Sequence, residues 1–281
     1  MPGSQIIDAH HHFWHYNPEE YGWIGESMLK LRRNFLPSDL EPELAAGGVH
    51  AVVTVQARQT LVETEWLLSL AKEHPWMAGV VGWIPLTSSN AAAHLEHLSP
   101  HPKLKGVRHI LHDEADDNYM LRPDFLAGIK ELRRFHLAYD ILIFERHLPQ
   151  SLQLVDRFPN QVFVLDHIAK PRIKAGAMEP WRTGIIELAK RPNVYCKLSG
   201  MVTEADWNNW SFENLRPYFE TVLKAFGPKR LMFGSDWPVL LMAGTYHSWL
   251  QTVLHVIEPL SESERARIMG GTAREAYRLS V

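Results

Sequence analysis

The amino-acid sequence predicts an α/β fold, a (β/α)8 (TIM) barrel in a single domain. Eight short apolar runs alternate with helical patterns along the chain. Each run is apolar nearly throughout, as expected of parallel strands that helices cover. The count of eight favours a closed barrel over an open doubly wound sheet, and 281 residues suit a fold of about 250 residues. We therefore assign residues 1–281 to one barrel domain.

The eight predicted strands are spaced so that a helix fits between each neighbouring pair. In chain order they are residues 6–8, 51–56, 78–84, 105–110, 139–144, 161–166, 193–198 and 230–235. No Gly-x-Gly-x-x-Gly motif follows the first of them, which argues against a dinucleotide-binding fold.

Helical patterns occupy several of the intervals. Residues 64–74 are apolar on one face and stop before Pro75, while residues 212–226 stop at Gly227. Residues 124–135 also carry apolar side chains at helical spacing. These three segments are predicted helices.

The two ends of the chain carry further local patterns. Ser261 with Glu264 and Thr272 with Glu275 each match a capping box, which predicts two helices at the C-terminus. Residues 13–48 form the least regular connection, and we expect part of this segment to lie as a loop over the barrel mouth.

Composition excludes several classes of protein. The net charge is −3 with charges of both signs interspersed, so no basic footprint for nucleic acid is present. No apolar run is long enough for a transmembrane helix, and the N-terminus lacks the pattern of a signal peptide. Cys196 is the only cysteine, which fits a reducing compartment. We expect a cytoplasmic protein with a small-molecule substrate, and a homo-oligomer is compatible with the sequence.

Polar residues gather at the carboxyl ends of the predicted strands, where barrels of this class carry their chemistry. Taken strand by strand, they are His10, His11 and His12; Gln56; Trp83; Arg108 and His109; Asp166 and His167; Lys197 and Ser199; and Asp236, which Trp237 follows.

The first of these strand ends predicts a metal or catalytic site. Side chains alternate along a strand, so His10 and His12 share one face while His11 points the other way. His167 and Asp236 would join them from other strands, and three nitrogens with one carboxylate suit zinc or a similar divalent ion. Spacing alone leaves a hydrogen-bonded structural pair as the alternative.

Three other residues also have alternative interpretations. Arg108 is either a substrate contact or an ion-pair partner inside the barrel. Asp236 could form an Asx turn before Pro238. Lys197 either reaches the substrate or extends outward.

Five motifs together resemble the amidohydrolase superfamily, more narrowly its branch of sugar-acid lactonases. They are "DAHHHFW", "GVRHIL", "LDHIAKP", "KLSGMVTEADW" and "LMFGSDWPV". The resemblance runs in order from Ile6 to about Leu279 and so covers nearly the whole chain.

The resemblance implies a site at the carboxyl-terminal mouth of the barrel. It implies that His10, His12 and His167 are catalytic or metal-binding, with Asp236 as general base or proton shuttle. Arg108 resembles an arginine that binds substrate oxygens. We find no equivalent of the carboxylated lysine or glutamate that bridges two metals, so one divalent ion is expected, with zinc as the candidate. Members of this branch include enzymes that work without a metal.

These observations lead to a functional hypothesis: hydrolysis of a sugar-acid lactone by attack of water on the ring carbonyl. The substrate hydroxyls need polar contacts, and apolar faces suit the sugar ring. The candidates for substrate contact are Gln56, Arg108, His109, Lys197, Trp14, Trp83 and Trp237.

Three alternatives stay open from sequence. A related barrel could decarboxylate an aromatic acid at a similar site. A hydrolase of a dicarboxylate lactone would favour a pocket richer in arginine. A barrel that binds a sugar acid without turnover would follow if the histidines and Asp236 formed only a structural network.

Overall fold

The computed structural model describes residues 5–281, and its centre is a sheet of eight parallel strands. Their order in the sheet is their order in the chain. The strands are β1 (Ile6–His11), β2 (Val49–Val55), β3 (Met77–Gly82), β4 (Leu104–Ile110), β5 (Ala138–Leu142), β6 (Phe163–Leu165), β7 (Val194–Leu198) and β8 (Leu231–Phe233).

The end of β8 closes the sheet onto β1. The backbone N–H of Asp236 donates to the His10 carbonyl over 2.7 Å, and the N–H of His12 donates to the Trp237 carbonyl over 2.7 Å. These two bonds join the first and last strands at the mouth. The predicted (β/α)8 barrel is confirmed.

In the part of the chain that the structure describes, ten α-helices alternate with the strands or follow them. They are α1 (Pro37–Gly47), α2 (Leu61–Glu73), α3 (Ala91–Leu98), α4 (Pro123–Leu132), α5 (Leu148–Arg157), α6 (Trp181–Ala189), α7 (Phe212–Phe226), α8 (Tyr246–Ile257), α9 (Glu262–Ala266) and α10 (Thr272–Ala276). None of those in residues 5–281 has the length and apolar character that a bilayer crossing demands.

The three helices predicted from periodicity are present, and α7 has the predicted bounds. The first capping box is confirmed, because the Ser261 hydroxyl accepts from the Glu264 N–H and the Glu264 carboxylate accepts from the Ser261 N–H. The second predicted C-terminal helix is present as α10, but its capping box is wrong. The Thr272 hydroxyl donates instead to the backbone carbonyl of Lys229, which lies just before β8. The Glu275 carboxylate accepts from the Tyr195 hydroxyl. A π-helical turn runs directly into α10, so no free N-terminus is left to cap.

Two apolar layers fill the space around the strands. One lies between the strands and the surrounding helices. The other lies inside the barrel, where small side chains such as Ala9, Ala51 and Ala138 meet Ala273 and Tyr277 of α10. The C-terminal helix therefore plugs the amino-terminal end of the barrel and leaves the opposite end for polar side chains.

The segment 13–48 is more ordered than the sequence predicted. It contains a 3₁₀ segment, Glu26–Leu31, and helix α1, whose start is marked by Pro37 and Asp39. The Asp39 carboxylate accepts from the Leu36 N–H over 2.9 Å. Trp23 and Met28 line the cavity at the barrel mouth, so the prediction that part of the segment covers the mouth is confirmed.

Candidate active site

The two histidines at the end of β1 point their ring nitrogens at one another. Nε2 of His10 lies 3.2 Å from Nε2 of His12. Nδ1 of His12 donates to the Val55 carbonyl over 2.8 Å, which leaves its Nε2 as an acceptor. His11 points the other way, and its Nε2 lies 2.8 Å from the Thr54 hydroxyl. The structure thus places the three side chains as strand alternation predicts.

A bulge in β1 decides which of its side chains enter the barrel. The pairing of β1 with β2 shifts between Asp8 and His11. Below the shift, Asp8 turns outward and accepts a hydrogen bond from the Tyr246 hydroxyl of α8 over 3.0 Å. Above it, His10 and His12 face the interior. Without the extra residue, simple alternation would put Asp8 on the same face as His10, so the bulge aims the imidazoles.

Asp236 joins the histidines from the end of β8. Its Oδ1 lies 3.4 Å from Nε2 of His12 and 3.7 Å from Nε2 of both His10 and His167. The residue has a left-handed φ of 60° and is 2% exposed. Burial acts to raise the pKa of Asp236, but His167 and His12 outweigh it and hold the pKa below its ordinary value. The group is therefore a carboxylate at neutral pH.

His167 lies in an unusual left-handed turn after β6. Four consecutive residues, 167–170, have φ of 51°, 48°, 62° and 46°. This conformation is unfavourable for L-residues, so surrounding contacts must hold it. The Trp181 indole donates to the Ile168 carbonyl over 2.7 Å, and Nδ1 of His167 lies 2.8 Å from the Ser199 hydroxyl. Burial lowers the pKa of His167 to about 4, against the opposing charge of Asp236, so its imidazole is neutral.

Gly200 makes room for the His167 ring. A Cβ at this position would lie 2.5 Å from Nδ1 of His167, and the φ of Gly200 is +62°. Both the backbone conformation and the close approach require glycine. The "KLSG" motif therefore positions His167 in two ways. The Ser199 hydroxyl contacts its Nδ1, and Gly200, which has no Cβ, leaves room for its ring.

We call His10, His12, His167 and Asp236 the donor set, and its atoms fit a divalent metal ion. Two imidazole nitrogens at about 2.0–2.1 Å from a tetrahedral zinc ion stand about 3.3 Å apart, close to the 3.2 Å between His10 and His12. One carboxylate oxygen lies within 3.7 Å of all three Nε2 atoms. His10, His12 and Asp236 also form a cluster with ligand-like spacing.

The tautomer of His10 links the donor set to a second layer below it. Its Nδ1 lies 3.3 Å from Oδ1 of Asp166 and 3.1 Å from Nζ of Lys197. With the proton on Nδ1, His10 donates to Asp166 and leaves Nε2 open for a metal. With the proton on Nε2, His10 accepts from Lys197 and can donate to Nε2 of His12. The donor set can therefore be satisfied by an ion or by protein groups alone.

The layer below is an ionic network, which we call the ion layer: Arg108, Lys197, Asp140, Asp166 and Tyr277. Nζ of Lys197 lies 2.5 Å from Asp140 and 2.9 Å from Asp166. Nη1 of Arg108 donates to Asp166 over 2.9 Å, and the Tyr277 hydroxyl donates to Asp140 over 2.7 Å. Two cations thus face two carboxylates in the barrel interior, where only Arg108 also reaches the cavity.

His10, Asp166 and His167 also cluster at ligand-like spacing, but the ion layer argues against a second ion there. Burial acts to raise the pKa of Asp166, yet Lys197, His10 and Arg108 together hold the pKa well below its ordinary value. Lys197 and Arg108 already neutralise this carboxylate.

The two basic residues predicted as substrate contacts have different surroundings. Arg108 lines the cavity and is 3% exposed, while it also donates to Asp166 and to the Gln56 carbonyl. Lys197 is wholly buried beneath the donor set and does not line the cavity. Lys197 follows neither predicted alternative, because it does not line the cavity and does not extend outward but pairs with Asp140 and Asp166. Arg108 serves both the network and the cavity.

Trp83 and His109 lie outside the mouth. Arg108 points into the barrel, so alternation along β4 sends His109 outward. There its Nε2 lies 2.6 Å from Glu114 and its Nδ1 accepts from the Trp83 indole over 3.3 Å. The His109 ring also stacks on Tyr119 at 4.9 Å. The structure brings neither residue to the cavity.

Gln56, Trp14 and Trp237 are packed away from the cavity lining as well. Gln56 is wholly buried, and its amide donates to the Arg108 carbonyl over 3.3 Å. The Trp14 indole donates to the Arg33 carbonyl over 2.9 Å, and Trp237 packs edge-on against Phe35. Trp14 thus packs within the segment 13–48 and Trp237 packs against it, and neither lines the cavity as a wall for a sugar ring.

The donor set opens into a cavity of about 310 Å³ at the mouth of the barrel. A larger groove of about 560 Å³ lies on the outer surface between α6 and α7 and contains none of the candidate site residues. The mouth cavity is lined by His12, Trp23, Met28, Ala57, Arg108, Ile110, His112, Asp113, Leu142, His167, Lys170, Thr203, Glu204, Trp207, Asp236 and Val239.

Sequence reasoning missed most of the cavity residues that come from loops. His112 and Asp113 follow β4, and Lys170 ends the left-handed turn, where its Nζ lies 2.5 Å from Glu204. Trp207 lies beyond β7. The quoted motifs "LDHIAKP" and "KLSGMVTEADW" contain three of these residues, so motif membership was an available sign even though strand periodicity was not.

The comparisons with known proteins agree with this geometry. The amidohydrolase family model matches residues 7–279. The chain is 40% identical over 277 residues to the L-fucono-1,5-lactonase of Burkholderia ambifaria, covering 97% of this chain and 95% of that protein. It is 41% identical to an amidohydrolase from Burkholderia multivorans whose crystal structure has bound zinc, with a TM-score of 0.94 over 98% of this chain and 99% of that one.

A more distant likeness concerns the fold alone. The 2,6-dihydroxybenzoate decarboxylase from Rhizobium is 13% identical, with a TM-score of 0.68 over 99% of each chain. At this identity the match shows a shared barrel and carries no argument about the reaction.

Proposed function

This chain belongs to the amidohydrolase family, and from that premise we propose that it hydrolyses the ring ester of a sugar-acid lactone, of the L-fucono-1,5-lactone type. The observation that carries the proposal is the convergence of a buried carboxylate, Asp236, with three imidazole nitrogens at the floor of the mouth cavity. The relative that is named L-fucono-1,5-lactonase supports this substrate class.

Asp236 is the proposed proton shuttle. As a carboxylate at neutral pH, it takes a proton from the water that attacks the lactone carbonyl carbon. Electrons move onto the carbonyl oxygen, and a tetrahedral intermediate forms. When that intermediate collapses, the bond from the carbonyl carbon to the ring oxygen breaks, and Asp236 returns the proton to the departing oxygen. The products are the open hydroxy acid and the free carboxylate of Asp236.

Positive charge is needed beside the oxygen that becomes negative. Arg108 brings a guanidinium to the cavity, fixed by Asp166 over 2.9 Å. His12 and His167 hold their Nδ1 atoms against fixed oxygen partners, so their Nε2 atoms keep a constant direction toward the reacting centre. These side chains are set before the substrate arrives.

The residues that would hold a metal ion are His10, His12, His167 and Asp236. A nitrogen-rich donor set favours zinc among common divalent ions, and a bound ion would polarise the carbonyl and lower the pKa of water. The zinc-bound relative supports this assignment. Because the His10 tautomer also permits a site made of protein groups alone, metal-independent hydrolysis is the competing proposal.

A lactone panel tests the reaction. We expect rapid release of acid, detected with a pH indicator, from L-fucono-1,5-lactone above its uncatalysed hydrolysis. The same panel includes a pyrone dicarboxylate lactone and 2,6-dihydroxybenzoate, with carbon dioxide measured for the latter. Turnover of either of these instead, or binding of the sugar acid without turnover, would replace the proposed function by one of its alternatives.

Metal content tests the cofactor. We expect elemental analysis to find one divalent ion per chain in the active enzyme and less in His12→Ala. The parent protein should lose acid release on chelation and regain it with zinc. Full activity of a metal-free sample would remove the ion from the mechanism.

A small-molecule substrate agrees with this function. A cytoplasmic location and assembly into a homo-oligomer stay predictions from the sequence.

A further inference from the structure

The joint between the last and the first strand differs from the other joints of the barrel. Each of the other neighbouring pairs is joined by at least three paired residues. Between β8 and β1, the residues that the structure describes form one isolated parallel bridge, His11 with Trp237. We call the contact of residues 8–12 with residues 234–237 the seam, and it carries three members of the donor set.

One buried carboxylate crosses the seam. Oδ1 of Asp8 accepts from the N–H of His10 over 3.1 Å and from the N–H of Ser235 over 2.8 Å. Oδ2 accepts from the hydroxyl of Tyr246, in α8, over 3.0 Å. Asp8 is wholly buried, and all three of these donors are uncharged groups. The carboxylate thus ties β1, the end of β8 and α8 together at one point.

The two N–H groups belong to residues at or next to the reacting side chains. His10 is itself a member of the donor set, and Ser235 directly precedes Asp236. The His10 carbonyl completes the link, because it accepts from the N–H of Asp236 over 2.7 Å and from the Ser235 hydroxyl over 3.3 Å. Asp8 therefore holds both sides of the contact that sets Oδ1 of Asp236 3.7 Å from Nε2 of His10.

The two strands approach each other closely at the seam. A Cβ at Gly234 would lie 2.9 Å from Cβ of His10. Helix α8 contacts both strands, since the Trp249 indole donates to the Gly234 carbonyl over 2.8 Å and the Tyr246 hydroxyl donates to Asp8. Loss of the Asp8 contacts would therefore move the backbone that carries the donor set, and not merely one flexible side chain.

Resting on the proposed function, we propose that Asp8 is a positioning residue for the donor set. Its carboxylate fixes the separation between His10 and Asp236 across the seam, and so the directions from which these side chains face the lactone. Asp8 does not line the cavity and acts through the residues it holds. Burying a carboxylate among uncharged partners costs free energy of folding, so stability alone does not account for this side chain.

Two replacements of similar size test the role of Asp8. Asp8→Leu leaves the N–H groups of His10 and Ser235 without an acceptor. Because small displacements of reacting groups cost up to about 10²-fold in rate, we expect kcat for L-fucono-1,5-lactone to fall about 10- to 100-fold and KM to change less than about threefold. Asp8→Asn keeps an oxygen for both N–H groups, so its kcat should stay within about threefold of the parent.

Gln161→Leu is the matched control, since it also removes a buried side-chain link between neighbouring strands. The Gln161 amide donates to the Leu137 carbonyl over 2.8 Å and to the Val162 carbonyl over 3.0 Å. These carbonyls lie at the starts of β5 and β6, at the end of the barrel away from the donor set. In urea Gln161→Leu should lose stability as Asp8→Leu does, whereas its kcat should equal that of the parent.

A milder variant covers the case in which Asp8→Leu does not fold. Tyr246→Phe removes only the donor to Oδ2 of Asp8 and leaves both N–H contacts in place. We expect its kcat to fall about threefold with KM unchanged, because one hydrogen bond of the positioning carboxylate is lost. A parental kcat in Tyr246→Phe would then overturn the inference.

Crystal structures of the parent and the variants test the geometry without any substrate. The separation between Oδ1 of Asp236 and Nε2 of His10 should change by at least about 0.5 Å from the parental 3.7 Å in Asp8→Leu. It should stay at the parental value in Asp8→Asn and in Gln161→Leu.

The outcomes separate this inference from the proposed function. If the parent hydrolyses no lactone, the proposed function is overturned, and the crystallographic comparison decides the role of Asp8. An unchanged separation in Asp8→Leu, or equal kcat values in Asp8→Leu and Gln161→Leu, overturns the inference and leaves lactone hydrolysis in place.

Discussion

The donor set and the ion layer are two buried polar groups of the same barrel, one above the other, and they differ in charge balance. In the ion layer two cations meet two carboxylates, and a tyrosine hydroxyl donates to one of them. In the donor set one carboxylate faces three imidazoles, and Nε2 of His12 is left as an acceptor because its Nδ1 donates to the Val55 carbonyl. In the ion layer every charge faces an opposite charge, whereas the single carboxylate of the donor set faces imidazole nitrogens that can meet either an ion or one another.

This comparison teaches how to separate structural from chemical charges in a barrel interior. Both groups are buried, so burial does not distinguish them. What distinguishes them is whether each charge has an opposite charge at contact distance. Lys197, predicted from sequence as a substrate contact, belongs to the balanced layer and acts on the site through His10 and Asp166.

The largest expected effect comes from removing the charge of the donor set. Asp236→Asn keeps the size of the side chain but cannot accept the proton from water. We expect kcat for the lactone to fall about 10²–10⁴-fold, the usual contribution of proton transfer.

The control for this variant is Asp156→Asn, which neutralises a half-exposed carboxylate paired with Arg191 on the surface. Its kcat should match that of the parent. Near-parental lactone hydrolysis by Asp236→Asn would show that another group moves the proton.

The next effect comes from unbalancing the ion layer. Lys197→Met leaves Asp140 and Asp166 buried with one cation fewer, and breaking a buried pair in this way costs about 3–5 kcal/mol. Urea denaturation should show that loss in the free energy of unfolding. The double variant Lys197→Met/Asp140→Leu should recover part of this stability, because the buried carboxylate that lost its lysine partner is then removed as well.

Lys190→Met supplies the matched control, since Lys190 pairs with Glu187 on the surface and such pairs contribute about 0–1 kcal/mol. If the Lys197 and Lys190 variants lost equal stability, the ion layer would not be the balanced core described above.

A smaller effect should follow from moving His167 within the donor set. Gly200→Ala combines a φ of +62° with a Cβ 2.5 Å from the His167 ring. We expect a loss of about 2–3 kcal/mol in stability and about a tenfold fall in kcat.

Gly176→Ala separates the two causes, because Gly176 has the same φ of +62° and open space around its Cα. This variant should lose about 1 kcal/mol of stability and keep the parental kcat. An equal loss of kcat in both variants would refute the role of Gly200 in positioning His167.

The smallest expected effect concerns Glu63, a third kind of buried charge. It lies under the segment 13–48, where it accepts from the N–H groups of Ala57 and Arg58 and from the Tyr21 hydroxyl. Burial raises its pKa from 4.5 to about 7, against these hydrogen bonds. Between those two values the folded state binds more protons than the unfolded chain, so stability falls as the pH rises.

In urea titrations, the contribution of Glu63 should make the free energy of unfolding about 2 kcal/mol lower at pH 8 than at pH 5. Glu63→Gln keeps an oxygen for the two N–H groups and cannot ionise, so its stability should depend less on pH by that amount. An identical pH dependence in parent and variant would place the pKa of Glu63 near its ordinary value.

The sequence by itself determined the barrel and the donor set. Eight apolar runs, a period of two in "HHH" and polar residues at strand ends are local patterns, and they predicted His10, His12, His167 and Asp236 together. The signals are strong because strand alternation and parallel order follow from backbone geometry that hardly depends on distant neighbours.

Only the tertiary structure decided the surroundings of those four residues. The bulge that turns Asp8 outward, the left-handed turn at residues 167–170 and the pairing of Trp83 with His109 depend on contacts between elements far apart in the chain. The cavity walls come from loops such as those of Met28 and Lys170, whose side-chain directions no periodicity encodes. A local pattern fixes the face of a strand from which a side chain projects, whereas its partner and its function depend on where packing brings the other strands and loops.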